Sequence, residues 1–166
     1  MAKILPILIG LILIGIVSLS LNKKKINDFN MVSISGENIS THELRGKVYL
    51  INFWATDCPG CIKEMPELIN TYNNYNKQNF EVIAVAMFYD PPNRVLSFAK
   101  AKNLPFPVVL DIEKKIMNNF NDIKLTPTSI LIDHKGKIVN TIIGEINFLE
   151  FNRNLEALLK KANARS

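Results

Sequence analysis

The chain holds two cysteines among its 166 residues, and they stand together as Cys58-Pro59-Gly60-Cys61. Before them runs Val48–Ala55, VYLINFWA, a nearly continuous apolar segment of the kind that forms a strand covered on both faces. After them, Cys61, Met65, Leu68, Tyr72 and Tyr75 recur at steps of four, three, four and three, which is one face of an α-helix. The pair therefore falls where a buried strand gives way to a helix. Cys58, at the helix start, meets unpaired backbone N–H groups and the positive end of the helix dipole, both of which favour a thiolate. Pro59 suits the first helical position, where its missing N–H would have no partner. Cys61 lies one turn further in, on the apolar face, and is expected to be shielded. That asymmetry is the one a redox dithiol needs: Cys58 attacks, and Cys61 resolves the mixed disulfide.

Other uses of the pair stay open at this point. A static disulfide between residues three apart would close a tiny loop and stabilise little through chain entropy. A zinc site needs about four ligands; the remaining candidates are His42 and His134, which lack finger spacing and fall in expected surface loops. A peroxidase would use the same thiolate, but no arginine is specifically supplied to activate a peroxide. Glu64 follows Cys61 by three residues and lies on a neighbouring face of the same helix, where a solvated glutamate is the ordinary reading. Tyr72, Tyr75 and the phenylalanines read as core by their periodicity. Neither a phosphate loop nor a dinucleotide motif is present.

The elements that must position the pair follow from pattern. Phe29–Ile34 alternates apolar and polar residues, and Ser35-Gly36-Glu37-Asn38 supplies turn chemistry, so a hairpin is expected. Phe80–Met87 is a second strand buried on both faces. Asp90 as N-cap, with Pro91 at the first helical position, opens a helix to about Lys102. Val108–Asp111 reads as a short strand and Lys114–Phe120 as a short helix. Ser129–Ile132 and Ile138–Ile143 flank His134-Lys135-Gly136-Lys137 as a second hairpin. Asn147 with Glu150 resembles a capping box, and Phe148, Phe151, Leu155, Leu158 and Ala162 give the closing helix its apolar face. The order is a hairpin, then β-α-β-α-β-α, then β-β-α: one α/β domain over residues 26–166, with a parallel portion of sheet and an antiparallel edge.

Charge separates the amino terminus from this body. The formal net charge is +5. Lys3, Lys23, Lys24 and Lys25 lie in a segment without acids, and the remaining sixteen basic side chains meet all fifteen acidic ones. A nearly neutral body offers no basic face for nucleic acid. Ile4–Leu21 is an uncharged apolar run of 18 residues. As a helix it would rise about 27 Å, close to the ~30 Å hydrocarbon core of a bilayer. Residues 1–25 are thus expected to be a membrane anchor or signal peptide with a basic flank, with cleavage after Ser20 permitted by Ser18 and Ser20. The basic residues on the two sides of the run, taken alone, weigh toward a cytoplasmic body; the cysteine chemistry has to arbitrate.

Phe53-Trp54-Ala55-Thr56-Asp57-Cys58-Pro59-Gly60-Cys61, followed by Ile62-Lys63-Glu64-Met65-Pro66, resembles the active-site block of membrane-tethered thiol-disulfide oxidoreductases of the TlpA/ResA type, within the thioredoxin superfamily. Leu125-Thr126-Pro127-Thr128 resembles the cis-proline loop of that family, and the likeness extends roughly from Phe29 to Leu159. The resemblance implies a thioredoxin-like fold, a mixed central sheet flanked by helices, with an N-terminal β-hairpin and a central helix-strand insertion at Asp90–Asp111. It implies a cis Pro127 facing the cysteines, Thr126 backbone groups that pair with an incoming peptide, and a kink at Pro66. It makes Glu64 the acid that tunes and deprotonates the cysteines, with Asn52 standing where cytosolic thioredoxins carry a buried aspartate.

Trp54, Asp57, Pro59 and Gly60 surround the site, and two of these positions depart from the family pattern. Asp57 replaces the usual tryptophan, where a carboxylate either raises the Cys58 pKa or caps the helix; Pro59-Gly60 reverses the more usual order. The resemblance further implies protein disulfide or dithiol substrates, apocytochrome c before haem attachment among them. It implies a membrane electron donor, attachment to a bacterial inner membrane through residues 4–21, and a domain on the periplasmic, extracytoplasmic side, or secretion if the leader is cut near Ser20. No cofactor is expected beyond the Cys58–Cys61 couple, and no metal. The alternatives are an oxidant or isomerase of secreted proteins, and a metal-binding or metallochaperone module that uses the cysteines as ligands.

Overall fold

The computed structural model describes residues 25–164. The apolar run Ile4–Leu21 lies outside them, as do Lys23 and Lys24; among the described residues no helix is long and apolar enough to cross a membrane. In chain order the strands are β1 (Asn30–Val32), β2 (Asn38–Ser40), β3 (Val48–Trp54), β4 (Phe80–Ala86), β5 (Val108–Leu110), β6 (Thr128–Ile132) and β7 (Ile138–Ile143). The helices are α1 (Pro59–Tyr75), α2 (Pro92–Ala101), α3 (Lys115–Asn119) and α4 (Phe148–Asn163).

Two strands buried on both faces organise these elements. All seven residues of β3 are buried, and the strand period of two divides them. Val48, Leu50 and Trp54 join one core, while Tyr49, Ile51 and Phe53 join the other. β4 divides in the same way, with Val82, Ala84 and Ala86 on one side and Ile83 and Val85 on the other. Each face must therefore be covered. Met65 and Leu68 of α1, Val95 of α2, and Phe151, Leu155 and Leu159 of α4 close the first face. Met31 and Ile39 of the β1–β2 hairpin, with Ile116 and Met117 of α3, close the second. Burying each such aliphatic side chain is worth roughly 1.5–3 kcal/mol, so the two cores hold the sheet between them.

The strand order is β5-β4-β3-β6-β7. β3 pairs in parallel with β4, and β4 with β5, whereas β6 and β7 run antiparallel. This is the mixed sheet with an antiparallel edge that the alternation of elements predicts, and α2 with β5 is the central insertion. The β1–β2 hairpin forms its own small sheet and leans on the β5 edge. The Ile34 N–H donates to the Val108 carbonyl at 2.8 Å, and Ser33 bridges Val109.

Asp90 departs from expectation. α2 begins at Pro92, its N-cap is Pro91, and no side chain caps it; the Asp90 carboxylate is committed elsewhere. At the closing helix the side chain of Asn147 accepts the Glu150 N–H, as expected. Its inward face is Phe151, Leu155, Leu159 and Ala162, with Leu158 only half-buried.

Candidate active site

The end of β3 and the start of α1 place the sulfurs. Cys58 is the N-cap residue of α1, and Pro59 takes the first helical position. The cap is made by sulfur itself: the Cys61 N–H points at Cys58 Sγ, 3.2 Å away. Asp57 is exposed and does not cap the helix. Cys58 and Cys61 are joined as a disulfide. Cys61 is wholly buried and Cys58 retains 8% exposure, so solvent and partners meet Cys58 first. α1 continues through Pro66, which cannot donate to the Ile62 carbonyl one turn earlier.

Glu64 is not a solvated helix glutamate. It is 4% exposed, because the turn that places Cys61 against the sheet also turns this residue inward. Its Oε1 accepts from Asn52 Nδ2 at 3.0 Å, and its Oε2 from the backbone N–H of Ile146 at 3.0 Å. Asn52, in the middle of β3 and wholly buried, also donates to Ser129 Oγ at 2.9 Å. Its Oδ1 has no hydrogen-bond partner among the described residues. Burial pushes the Glu64 carboxyl above its ordinary pKa; the bonds from Ile146 and Asn52 pull it back, and the nearby Glu145 charge adds to the rise. A carboxyl that takes up a proton readily thus sits one helical turn beyond Cys61.

The cis-proline loop meets the pair from β6. The Thr126–Pro127 bond is cis. The loop is pinned on both sides, by the Gly144 N–H to the Pro127 carbonyl at 2.8 Å and by Thr128 Oγ1 to the Leu125 carbonyl at 2.7 Å. A β-carbon built on Gly60 would lie 3.5 Å from Pro127 Cδ, so the proline rests against the turn of the cysteine pair. Among the described residues the backbone N–H and C=O of Thr126 have no backbone partner, which leaves both for an added strand.

One loop touches both halves of this site. Buried Asp90 accepts the Thr56 N–H and the Thr56 hydroxyl, each at 2.6 Å, two residues before Cys58. Next to it, the Tyr89 hydroxyl lies 3.4 Å from Thr126 Oγ1. Trp54, wholly buried at the end of β3, packs against Phe98 of α2 in a tilted arrangement, with ring centroids 5.1 Å apart. His42 and His134 both fall in turns and are not brought to the cysteines. No group of three or more potential metal-ligating side chains gathers among the described residues.

Residues 21–159 match the family model described as Redoxin. The chain belongs to the redoxin family. It is 34% identical over 131 residues to the thiol-disulfide oxidoreductase ResA of Geobacillus kaustophilus, covering 79% of this chain and 74% of that one. It is 36% identical over 138 residues to ResA of Bacillus cereus, covering 83% and 76%. Among solved structures it is similar to StoA from Bacillus subtilis, with a TM-score of 0.67 and 31% identity over 76% of this chain and 95% of that one. With this membership goes the reaction class: the redoxin domain described here is a thioredoxin-like thiol-disulfide oxidoreductase.

Within the redoxin fold, the cysteine pair and the proline loop come together as their motifs require. Three further residues join them. Asn52 carried a signal, as an amide inside an otherwise apolar strand. Asp90 carried a misleading one, since an aspartate before two prolines reads as a helix cap. Glu145 carried none, because 85 positions separate it from Gly60.

Proposed function

We propose that the chain reduces disulfides in exported proteins, with Cys58 as the attacking sulfur and Cys61 as the resolving one. The observation that carries this reading is the placement of the pair: Cys58 caps α1 and keeps slight exposure, Cys61 has none, and the cis-proline loop lies against the turn between them. The Cys58 thiolate attacks one sulfur of a substrate disulfide. That bond breaks, its far sulfur leaves as a thiolate, and a Cys58–substrate disulfide forms. Cys61 then gives its proton to Glu64 and attacks Cys58 Sγ, releasing the second substrate sulfur. The substrate gains two electrons, and the Cys58–Cys61 bond holds the oxidised state. A membrane thiol-disulfide donor returns the two electrons. During exchange the substrate segment pairs with the free backbone groups of Thr126 and packs on Pro127.

In this reading residues 1–25 are the anchor and its basic flank, and residues 26–166 form a domain on the extracytoplasmic side of an inner membrane. Apocytochrome c before haem attachment is a substrate of the right chemistry. The full chain tests the reading directly. Cys58→Ser abolishes exchange with a protein disulfide, and Cys61→Ser accumulates a mixed disulfide visible by mass spectrometry; turnover retained by the first variant overturns the assignment. Equilibration against glutathione sets the direction, since a couple near about −270 mV is a reductant and one near about −120 mV an oxidant. A reporter fused after Ser166 that is active only in the cytoplasm overturns the placement.

A further inference from the structure

We propose that Glu145 is a specificity-determining residue, favouring substrates that carry a basic side chain beside the reacting cysteine; this rests on the disulfide-exchange reading above. Glu145 lies in the loop between β7 and α4, and its neighbour Ile146 holds Glu64. A β-carbon built on Gly60 would lie 3.4 Å from Glu145 Cγ and 3.5 Å from its Oε1, the same distance as from Pro127 Cδ. The carboxylate therefore stands over the turn that joins the two sulfurs, beside the proline on which the substrate packs. A peptide that packs on Pro127 to reach Cys58 lies close to this carboxylate.

The site already holds a cation. Lys63 Nζ is 2.7 Å from Glu145 Oε2, yet the two side chains remain 74% and 45% exposed. An ion pair this open is worth little, so an ammonium or guanidinium from a substrate can replace Lys63 at small cost. Other exposed charges flank the approach, Arg94 among them, which lines a hollow with Thr56. Asp57 is a second exposed carboxylate, adjacent to Cys58. Lys114 sits over the Phe88 ring at 3.9 Å from its centroid, and Lys124, 3.8 Å from Asp122 with both side chains well exposed, is held as loosely as Lys63; these cations are common to every variant compared. With Lys63 displaced, the Glu145 carboxylate over the Gly60 turn is left open to a substrate cation, and Asp57 stands next to Cys58 in sequence. Charge complementarity of this kind acts on encounter and on binding alike.

The test uses the full chain, reduced and held in a neutral detergent. It reacts with the symmetrical disulfide dimers of three capped pentapeptides, Ala-Lys-Cys-Lys-Ala, Ala-Gln-Cys-Gln-Ala and Ala-Glu-Cys-Glu-Ala, and released thiol is followed by chromatography. Flanking charges alter the peptides' own reactivity, so the deciding quantity is how the lysine-to-glutamate rate ratio changes between variants; any change in the protein's dithiol cancels in that ratio. Glu145→Gln is expected to lower the ratio about 3-fold, the scale of a partly exposed ion pair. Lys63→Met is expected to raise it, because the resident competitor is gone. A ratio that Glu145→Gln leaves within about 1.5-fold of the parent overturns the proposal. Failure of the parent chain to react with any of the three peptides instead overturns the exchange reading on which it rests.

Discussion

At the scale of single residues, Glu64 concentrates the most consequence. Its carboxyl is buried and its pKa is raised, chiefly by loss of solvent. The resolving step should therefore accelerate with pH through a range above the ordinary carboxylate value, as the carboxylate becomes free to accept the Cys61 proton. Glu64→Gln should remove that limb and slow mixed-disulfide resolution at least about ten-fold; stopped-flow pH–rate profiles of parent and variant check this, and superimposable profiles would exclude the role. The same shift bears on stability. A raised carboxyl binds its proton more tightly folded than unfolded, so it favours the folded state below its unfolded pKa. That contribution is lost as pH rises through the folded value. The stability of the parent relative to Glu64→Gln should accordingly grow as pH falls from 7 toward 4.5, read from urea midpoints at each pH. Sequence placed Glu64 on the correct helix but not inward. Its burial depends on Asn52 and Ile146, which reach it from β3 and from a loop 82 positions away.

At the scale of elements, the β3–α1 junction was legible and its support was not. An apolar run, a cysteine at the cap and a proline at the first helical position are local signals, and they act locally. Asp90 is different, because an aspartate offers the same oxygens to a helix start as to a distant loop. Tertiary contact decides the matter: two 2.6 Å bonds to Thr56 hold the run-up to Cys58, and α2 starts without a side-chain cap. Asp90→Ala should strand the half-buried Thr56 amide and hydroxyl and cost about 1–3 kcal/mol. Urea denaturation gives that value, and a cost under about 0.5 kcal/mol would mean the tie is unimportant. Asp111 has a comparable post at α3, where it accepts the N–H groups of Ile116 and Met117 at 2.9 and 2.8 Å. That role was equally hidden, since Asp111 reads as the end of a strand.

At the scale of the whole molecule, the fold class followed from the order of apolar segments, because a strand with two buried faces demands cover on both sides. The use of the first hairpin did not follow. β1 and β2 pair only with each other as a sheet, but the segment after β1 bonds to β5 and so protects an edge of the main sheet. An uncovered edge is a template for pairing with another chain. Ile34→Pro removes the donor to Val108 and should raise self-association at micromolar concentration, measured by light scattering on the full chain in detergent against the parent. Equal mass distributions would show that the hairpin does not guard the edge.

Tyr89 and Asp90 are consecutive, yet one rests on Thr126 and the other grips Thr56. A peptide seated along the proline loop as proposed would lean on the tyrosine, and any give in that short linkage would pass to the segment that carries Cys58. Occupancy and reactivity would then be mechanically joined, through a lever two residues long. Deuterium uptake at the Thr56 amide, slowed or hastened by a bound peptide that lacks cysteine, would register the motion.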